Sequence, residues 1–263
     1  AEDGIRDCLL SRGLGDVYKR QVACSSSNNE ELSVAREGSP PNQVVEYVWH
    51  YKDANFSEEN LNMLIDKWNS MIDSRDYEMN GANILFPRGE SAADFIWVML
   101  WPSMEARDAA WDDWMNNLDE DWQNLINGIM KVDFDNVYAF KPTVKRTASV
   151  PNQSSYFENE FNFCNYNEGY GENDLQQFET NFNTFLDETE LKDGPDGYWY
   201  VMLEPYFEGT EENPLADYVW LSLWTDIDEK NRGYANYANT SLPDEGNTFS
   251  TCERYSFSGR AIR

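Results

Sequence analysis

The chain carries one pattern twice, and this constrains its fold more than any single motif does. Glu46-Tyr47-Val48-Trp49-His50, followed by Leu61, Leu64, Trp68-Asn69 and Ile72, aligns without a gap on a second set. That set is Glu160-Phe161-Asn162-Phe163-Cys164, then Leu175, Phe178, Phe182-Asn183 and Leu186, at a constant offset of 114 residues. Further on, Asp94-Phe95-Ile96-Trp97-Val98-Met99-Leu100-Trp101 is answered by Asp217-Tyr218-Val219-Trp220-Leu221-Ser222-Leu223-Trp224, at an offset of 123. Self-similarity at a fixed offset decides architecture before it decides chemistry.

Each copy reads as the same run of elements. Residues 44–51 alternate and are rich in β-branched and aromatic types, which predicts a strand. Ser57 before Glu58 and Glu59 is a helix N-cap with acidic residues in the first turn, and Leu61, Leu64, Ile65, Trp68, Met71 and Ile72 recur at helical spacing. Strands are predicted at 81–87 and 94–101. Ser103 then caps a second helix through Trp111 and Trp114, with an extension around Trp122, and a fourth strand at 136–141 ends at Pro142. The second copy repeats the order, with strands at 160–166, 198–204, 217–224 and 252–257 and helices at 174–187 and 228–239.

Strand, helix, strand, strand, helix, strand is the pattern of ferredoxin-like units, whose four-stranded antiparallel sheet has helices on one face only. The bare face must be covered, and a tandem pair covers both by packing sheet on sheet. The chain resembles a fused pair of dimeric α/β-barrel modules, the superfamily that includes antibiotic-biosynthesis monooxygenase-like proteins, over nearly all of residues 44–257. The expected fold class is α+β. Two tandem ferredoxin-like modules, 43–142 and 156–263, flank a polar linker at 143–155, with their sheets face to face as a pseudo-symmetric dimeric α/β barrel. Fusion of the pair makes a monomer the expected state. The superfamily hosts oxygenases, isomerases and haem proteins, so the resemblance implies a fold and not an activity.

Residues 1–21 resemble a translated sequencing adaptor and are set aside from the fold argument. Their acidic and basic residues cancel, so the net charge of -28 belongs to the rest of the chain. That charge disfavours nucleic acid and anionic membrane surfaces, because phosphate binding draws on Lys and Arg displacing counterions. Residues 22–42 read as a disordered leader or tether, and Val22-Ala23-Cys24 followed by Ser and Asn resembles the end of a bacterial lipoprotein signal. The expectation is an exported, periplasmic or cell-envelope lipoprotein whose one membrane contact is a lipid on Cys24. Of the remaining cysteines, Cys164 and Cys252, an exported chain can oxidise the pair and a cytosolic one keeps them as thiols. The ferredoxin-like order puts the fourth strand beside the first, which leaves a cross-strand disulfide and two separate buried thiols as the alternatives.

Strand parity defines the candidate site. The aliphatic set Ile96, Val98, Leu100 and Val219, Leu221, Leu223 suits packing under the helices, and Tyr47, Trp49, Phe161 and Phe163 are placed there too. The opposite parity then faces the space between the sheets. This predicts a cavity walled by Trp97, Trp101, Trp220 and Trp224 and carrying Glu46, His50, Glu160, Asn162 and Cys164. Such a lining suits a small apolar or aromatic molecule.

Three functions follow. The first is an exported small-molecule-binding protein. The second is a cofactor-independent monooxygenase or isomerase in which His50, the single histidine, acts as base, oriented by Glu46 or Glu160. The third is a structural or partner-binding surface protein with a filled barrel. A pocket above ~300 Å³ beside His50 separates the first two from the third. Haem binding in related barrels needs a proximal histidine on a helix, whereas His50 is on a strand, so no cofactor is expected. Metal binding is not expected either, since Asp112-Asp113 and Asp119-Glu120-Asp121 read as solvated helix surface and no metal-ligand spacing occurs.

Overall fold

The computed structural model describes residues 43–211 and 213–263. The adaptor-like segment, the leader and Cys24 lie outside the described residues. The first half contains β1 (Val44–Lys52), α1 (Glu58–Asp73), β2 (Gly81–Pro87), β3 (Phe95–Trp101), α2 (Met104–Asn117), α3 (Asp119–Ile126) and β4 (Met130–Arg146). The second contains β5 (Tyr156–Tyr166), α4 (Glu172–Asp193), β6 (Trp199–Pro205), β7 (Tyr218–Trp224), α5 (Ile227–Ala238), α6 (Leu242–Phe249) and β8 (Ser250–Ala261). Helix starts follow local chemistry. The Ser57 and Ser103 hydroxyls each accept a backbone N–H at 3.1 Å, and the Asp226 carboxylate accepts that of Glu229 at 2.8 Å.

The fold is α+β. All eight strands close into one antiparallel barrel in the order β1-β3-β2-β8-β5-β7-β6-β4, with β4 returning to β1. Within each half the strands run fourth, first, third, second, and the halves join edge to edge where β2 meets β8 and β4 meets β6. Closure leaves no unpaired strand edge among the described residues. It also explains why β4 continues past Pro142 into residues assigned to the linker, since Thr143, Val144 and Arg146 pair with Met202, Val201 and Tyr200 of β6.

The barrel interior corrects the parity read from the sequence. Val45, Tyr47, Ile96, Val98 and Leu100 meet Phe161, Val219, Leu221 and Leu223 inside the barrel, with Trp49 and Phe163 packed against them. The opposite faces lie under the helices. Val48, Phe95, Trp97, Met99 and Trp101 pack on Leu64, Trp68, Ala110, Trp114 and Trp122. Tyr200, Trp220 and Trp224 pack with Leu175, Phe178, Leu186, Leu242 and Phe249. An eight-stranded barrel is just wide enough inside for side chains to fill it. Aliphatic residues and a few rings complete that space, and the gap between sheet and helices takes the tryptophans.

Candidate functional site

The single chamber expected between the sheets does not form. Glu46, His50, Trp97 and Trp101 lie on the outer face of the first half, under α1 to α3. Glu160, Asn162, Cys164, Trp220 and Trp224 lie on the outer face of the second half, under α4 to α6. The residues are thus divided between two separate spaces, and these differ greatly in volume.

In the first half the space beside His50 and Trp97 is about 50 Å³. It is closed by aromatic packing, with Trp68 at 5.2 Å and Trp122 at 6.3 Å from Trp97, and Trp114 at 5.9 Å from Trp122, ring centre to ring centre. His50 is 4% exposed, stacks on Phe95 at 5.1 Å, and places Nδ1 2.9 Å from the carbonyl oxygen of Val48. Burial lowers its pKa to about 4, against the opposing pull of that carbonyl and of Asp133. The ring is therefore neutral at neutral pH. No hydrogen bond joins it to Glu46 or Glu160 among the described residues, so the base and orienting carboxylate expected from the sequence are not brought together.

Both carboxylates are engaged elsewhere, and by equivalent partners. Glu46 is fully buried and accepts hydrogen bonds from Arg107 Nε at 2.6 Å, from Trp101 Nε1 at 3.1 Å and from Trp111 Nε1 at 3.0 Å. Glu160 is paired with Lys230 at 3.1 Å and accepts hydrogen bonds from Ser256 at 2.6 Å and from Tyr234. Burial would raise the pKa of Glu160, but the two hydroxyls and the ammonium outweigh it and hold the carboxyl below its usual range. Lys230 also sits 5.1 Å over the Trp224 ring. Arg107 and Trp111 are 123 residues before Lys230 and Tyr234, the offset already seen in β3 and β7. The match of Trp111 to Tyr234 and of Trp114 to Tyr237 is legible in the sequence, but nothing in it connects Trp111 and Tyr234, or Arg107 and Lys230, to the two carboxylates. Each network anchors a helix to the sheet by an ion pair whose carboxylate is buried.

In the second half the equivalent space is a cavity of about 940 Å³. Its floor is set by strand register. Asn162 of β5 stands directly between Trp220 of β7 and Arg254 of β8, and Cys164 stands between Tyr218 and Cys252. The two cysteines form a disulfide, with Cα atoms 4.1 Å apart, that staples β5 to β8 beneath the cavity. Trp220 is stacked on Tyr200 at 4.1 Å. Its indole N–H donates to Ser222 Oγ at 3.1 Å, and that oxygen lies 3.0 Å from the hydroxyl of Tyr198. Phe178, Phe182 and Tyr237 form the helical wall. Burial pushes the phenols of Tyr218 and Tyr237 up to about 12 and those of Tyr198 and Tyr234 further up, so all four stay protonated.

The volume difference follows from a few side chains. Where the first half has Val48, Met99 and Trp114, the second has Asn162, Ser222 and Tyr237. The Val137 position across the ladder from Val48 is taken by Arg254 across from Asn162. α3 contributes Trp122 to the first space, whereas α6 contributes Gly246 to the second. Bulk is removed and polar atoms are introduced at neighbouring positions. α6 itself was not legible, because Pro243 and Gly246 both argue against a helix. Proline is nevertheless tolerated in a first turn, where its missing N–H leaves no bond unmade.

The sequence matches no family model and no curated protein. Solved structures are similar to it in fold. A protein described as a candidate monooxygenase from Fusobacterium nucleatum aligns with a TM-score of 0.51 at 9% identity, covering 85% of this chain and 94% of its own. A candidate chlorite dismutase aligns with a TM-score of 0.49 at 11% identity, covering 84% and 95%. A haem-binding protein from Thermus thermophilus aligns with a TM-score of 0.45 at 11% identity, covering 87% and 92%. The chain has the dimeric α/β-barrel fold implied by its sequence pattern.

Proposed function

We propose that this protein binds a flat, largely apolar small molecule in the cavity of its second half. The observation that carries this reading is the aromatic-walled space of about 940 Å³ between α4, α5, α6 and the sheet. Ligand sites typically occupy about 300–1,000 Å³ and pair an apolar lining with a few placed polar groups. Asn162, Ser222 and Arg254 are such groups. The first half, with about 50 Å³, has room for little more than water. The His50-centred enzyme reading lacks support from the geometry, since His50 is buried, neutral and outside the lining of the cavity. The structural reading describes the first half and not the second.

Haem does not fit this cavity as an iron-ligated group. No histidine or methionine lines it, Cys164 and Cys252 are bonded to each other, and its phenols are held protonated. Export belongs to the same proposal. The Cys164–Cys252 bond supports it, because disulfides persist in oxidising compartments.

The test is a fluorescence titration with N-phenyl-1-naphthylamine, a neutral apolar probe that brightens on leaving water. Saturable binding by the wild-type chain and its loss in Gly246→Trp is the expected result. A Cβ at Gly246 meets Phe178 and Tyr237 at ordinary distances of 3.5 and 3.6 Å, so the new ring has space only in the cavity. Absence of saturable binding, or binding untouched by that substitution, would refute the reading.

A further inference from the structure

We infer that the second-half cavity selects an anionic aromatic molecule, with its acid group held on Arg254 beside Asn162. This rests on the cavity being a ligand site and adds the charge of what it holds.

The argument starts from an imbalance. With a net charge of -28, this chain has far more carboxylates than cations to meet them. Arg75, Arg88, Arg107, Arg146 and Arg263 are each in an ion pair, and Arg260 donates to Asn62 Oδ1 at 2.6 Å. The two other described arginines, Arg232 and Arg254, both line the cavity where it opens to solvent, each residue being exposed, and no ion pair joins either to a carboxylate among the described residues. Two guanidinium groups that open onto one cavity, with no carboxylate paired to them in so acidic a chain, are available to a negative charge from outside.

The carboxylates nearest the cavity do not neutralise this charge, because each has other partners. Glu229 accepts the backbone N–H groups of Gly197 and Thr225, both at 2.6 Å. Glu160 is held by Lys230, Ser256 and Tyr234. Asp193 has Lys192 and Asn236. Glu245 accepts from Asn181 at 2.7 Å. Asp196 accepts the N–H of Tyr198, at the end of the cavity marked by Trp224. That end is four residues along β7 from Trp220 and hence about 13 Å away.

Position makes the arrangement directional. Arg254, Asn162 and Trp220 lie side by side across three strands, so cation, amide and indole face share one floor. The equivalent trio in the first half is Val137, Val48 and Trp97, which has the ring and none of the polarity. A ring lodged beside Phe182 and Tyr237 would present a substituent to Asn162 and Arg254. A carboxylate, sulfonate or phosphate can take the forked hydrogen bonds of a guanidinium there, as a neutral ligand cannot.

The test uses two probes of the same ring skeleton on the full chain, 8-anilinonaphthalene-1-sulfonate and the neutral N-phenyl-1-naphthylamine. The sulfonate is expected to bind at least about tenfold tighter than the neutral amine, the scale of one charge-assisted hydrogen bond. Arg254→Gln should abolish that preference while leaving affinity for the neutral probe within about twofold, and Arg254→Lys should keep part of it. If Arg254→Gln fails to fold, the wild-type ratio and its reduction in Arg232→Gln decide the matter. A wild-type chain that binds the neutral probe as tightly as the sulfonate, or Arg254→Gln with its preference intact, overturns the inference and leaves the cavity reading standing. Failure of both probes to bind removes both.

Discussion

The two halves share a strand order and a buried ion pair, and they differ in what lies between helix and sheet. The first half fills that gap with Trp68, Trp97, Trp114 and Trp122, leaving about 50 Å³. The second keeps Trp220 and Trp224 but leaves about 940 Å³ open. Well-packed interiors tolerate few voids, so an open space of this size stabilises nothing by itself. The comparison shows one scaffold packed in two ways. One copy closes the gap and the other leaves it open, and the networks of Glu46 with Arg107 and Glu160 with Lys230 tie a helix to the sheet in each.

Substitutions at equivalent positions test this division most sharply. Trp114→Ala empties a filled gap and should cost about 4 kcal/mol of unfolding free energy, as large-to-small core changes do. Tyr237→Ala, its counterpart, borders a space already open and should cost less than half as much. Equal losses in denaturant unfolding would break the comparison. The next effect is confined to the first half. His50 titrates near 6.5 when unfolded but at about 4 when folded, so the unfolded chain binds more protons between those values. Stability is therefore complete above pH 6.5 and falls as the pH drops to about 4, by about 3 kcal/mol. His50→Phe should remove that part of the slope, read as the difference between the two chains across a pH series.

The second half has its own dependence. Reducing the bond between Cys164 and Cys252, or replacing both residues by Ser, frees a loop that spans 88 residues and should cost about 2–4 kcal/mol. Because the bond lies on the cavity floor, probe affinity should fall with it. A chain destabilised without loss of binding would separate the staple from the site. The smallest effect is of opposite sign. Gly246→Ala, inside α6, should stabilise by about 0.5–1 kcal/mol through helix propensity and leave most of the cavity open.

Much of the scaffold was legible because local chemistry and repetition agree. Ser57 and Ser103 announce helices, and the paired segments around Trp97 and Trp220 announce strands. The candidate residues were not legible as one set: Asn162, Cys164, Trp220 and Trp224 line the second-half cavity, whereas Glu46, His50, Trp97 and Trp101 belong to the first half and Glu160 is tied up in its ion pair. Nor was the way they face. In β3 and β7 both faces are buried, so alternation separates two apolar sets without saying which is inside. Arg254 went unnoticed for a related reason: it is an ordinary charged residue in a strand until register places it beside Asn162.

The amino-acid sequence by itself determined that two similar units would form, in which order their strands and helices run, and where polar residues break the likeness between them. Only the tertiary structure decided that the strands close edge to edge, that aliphatic residues take the narrow barrel interior, and that tryptophans go beneath the helices. It decided also that the second of those outer spaces stays open. The physical reason is that side-chain alternation is a local property, whereas the width of a gap depends on everything that lines it, from α4 to β8.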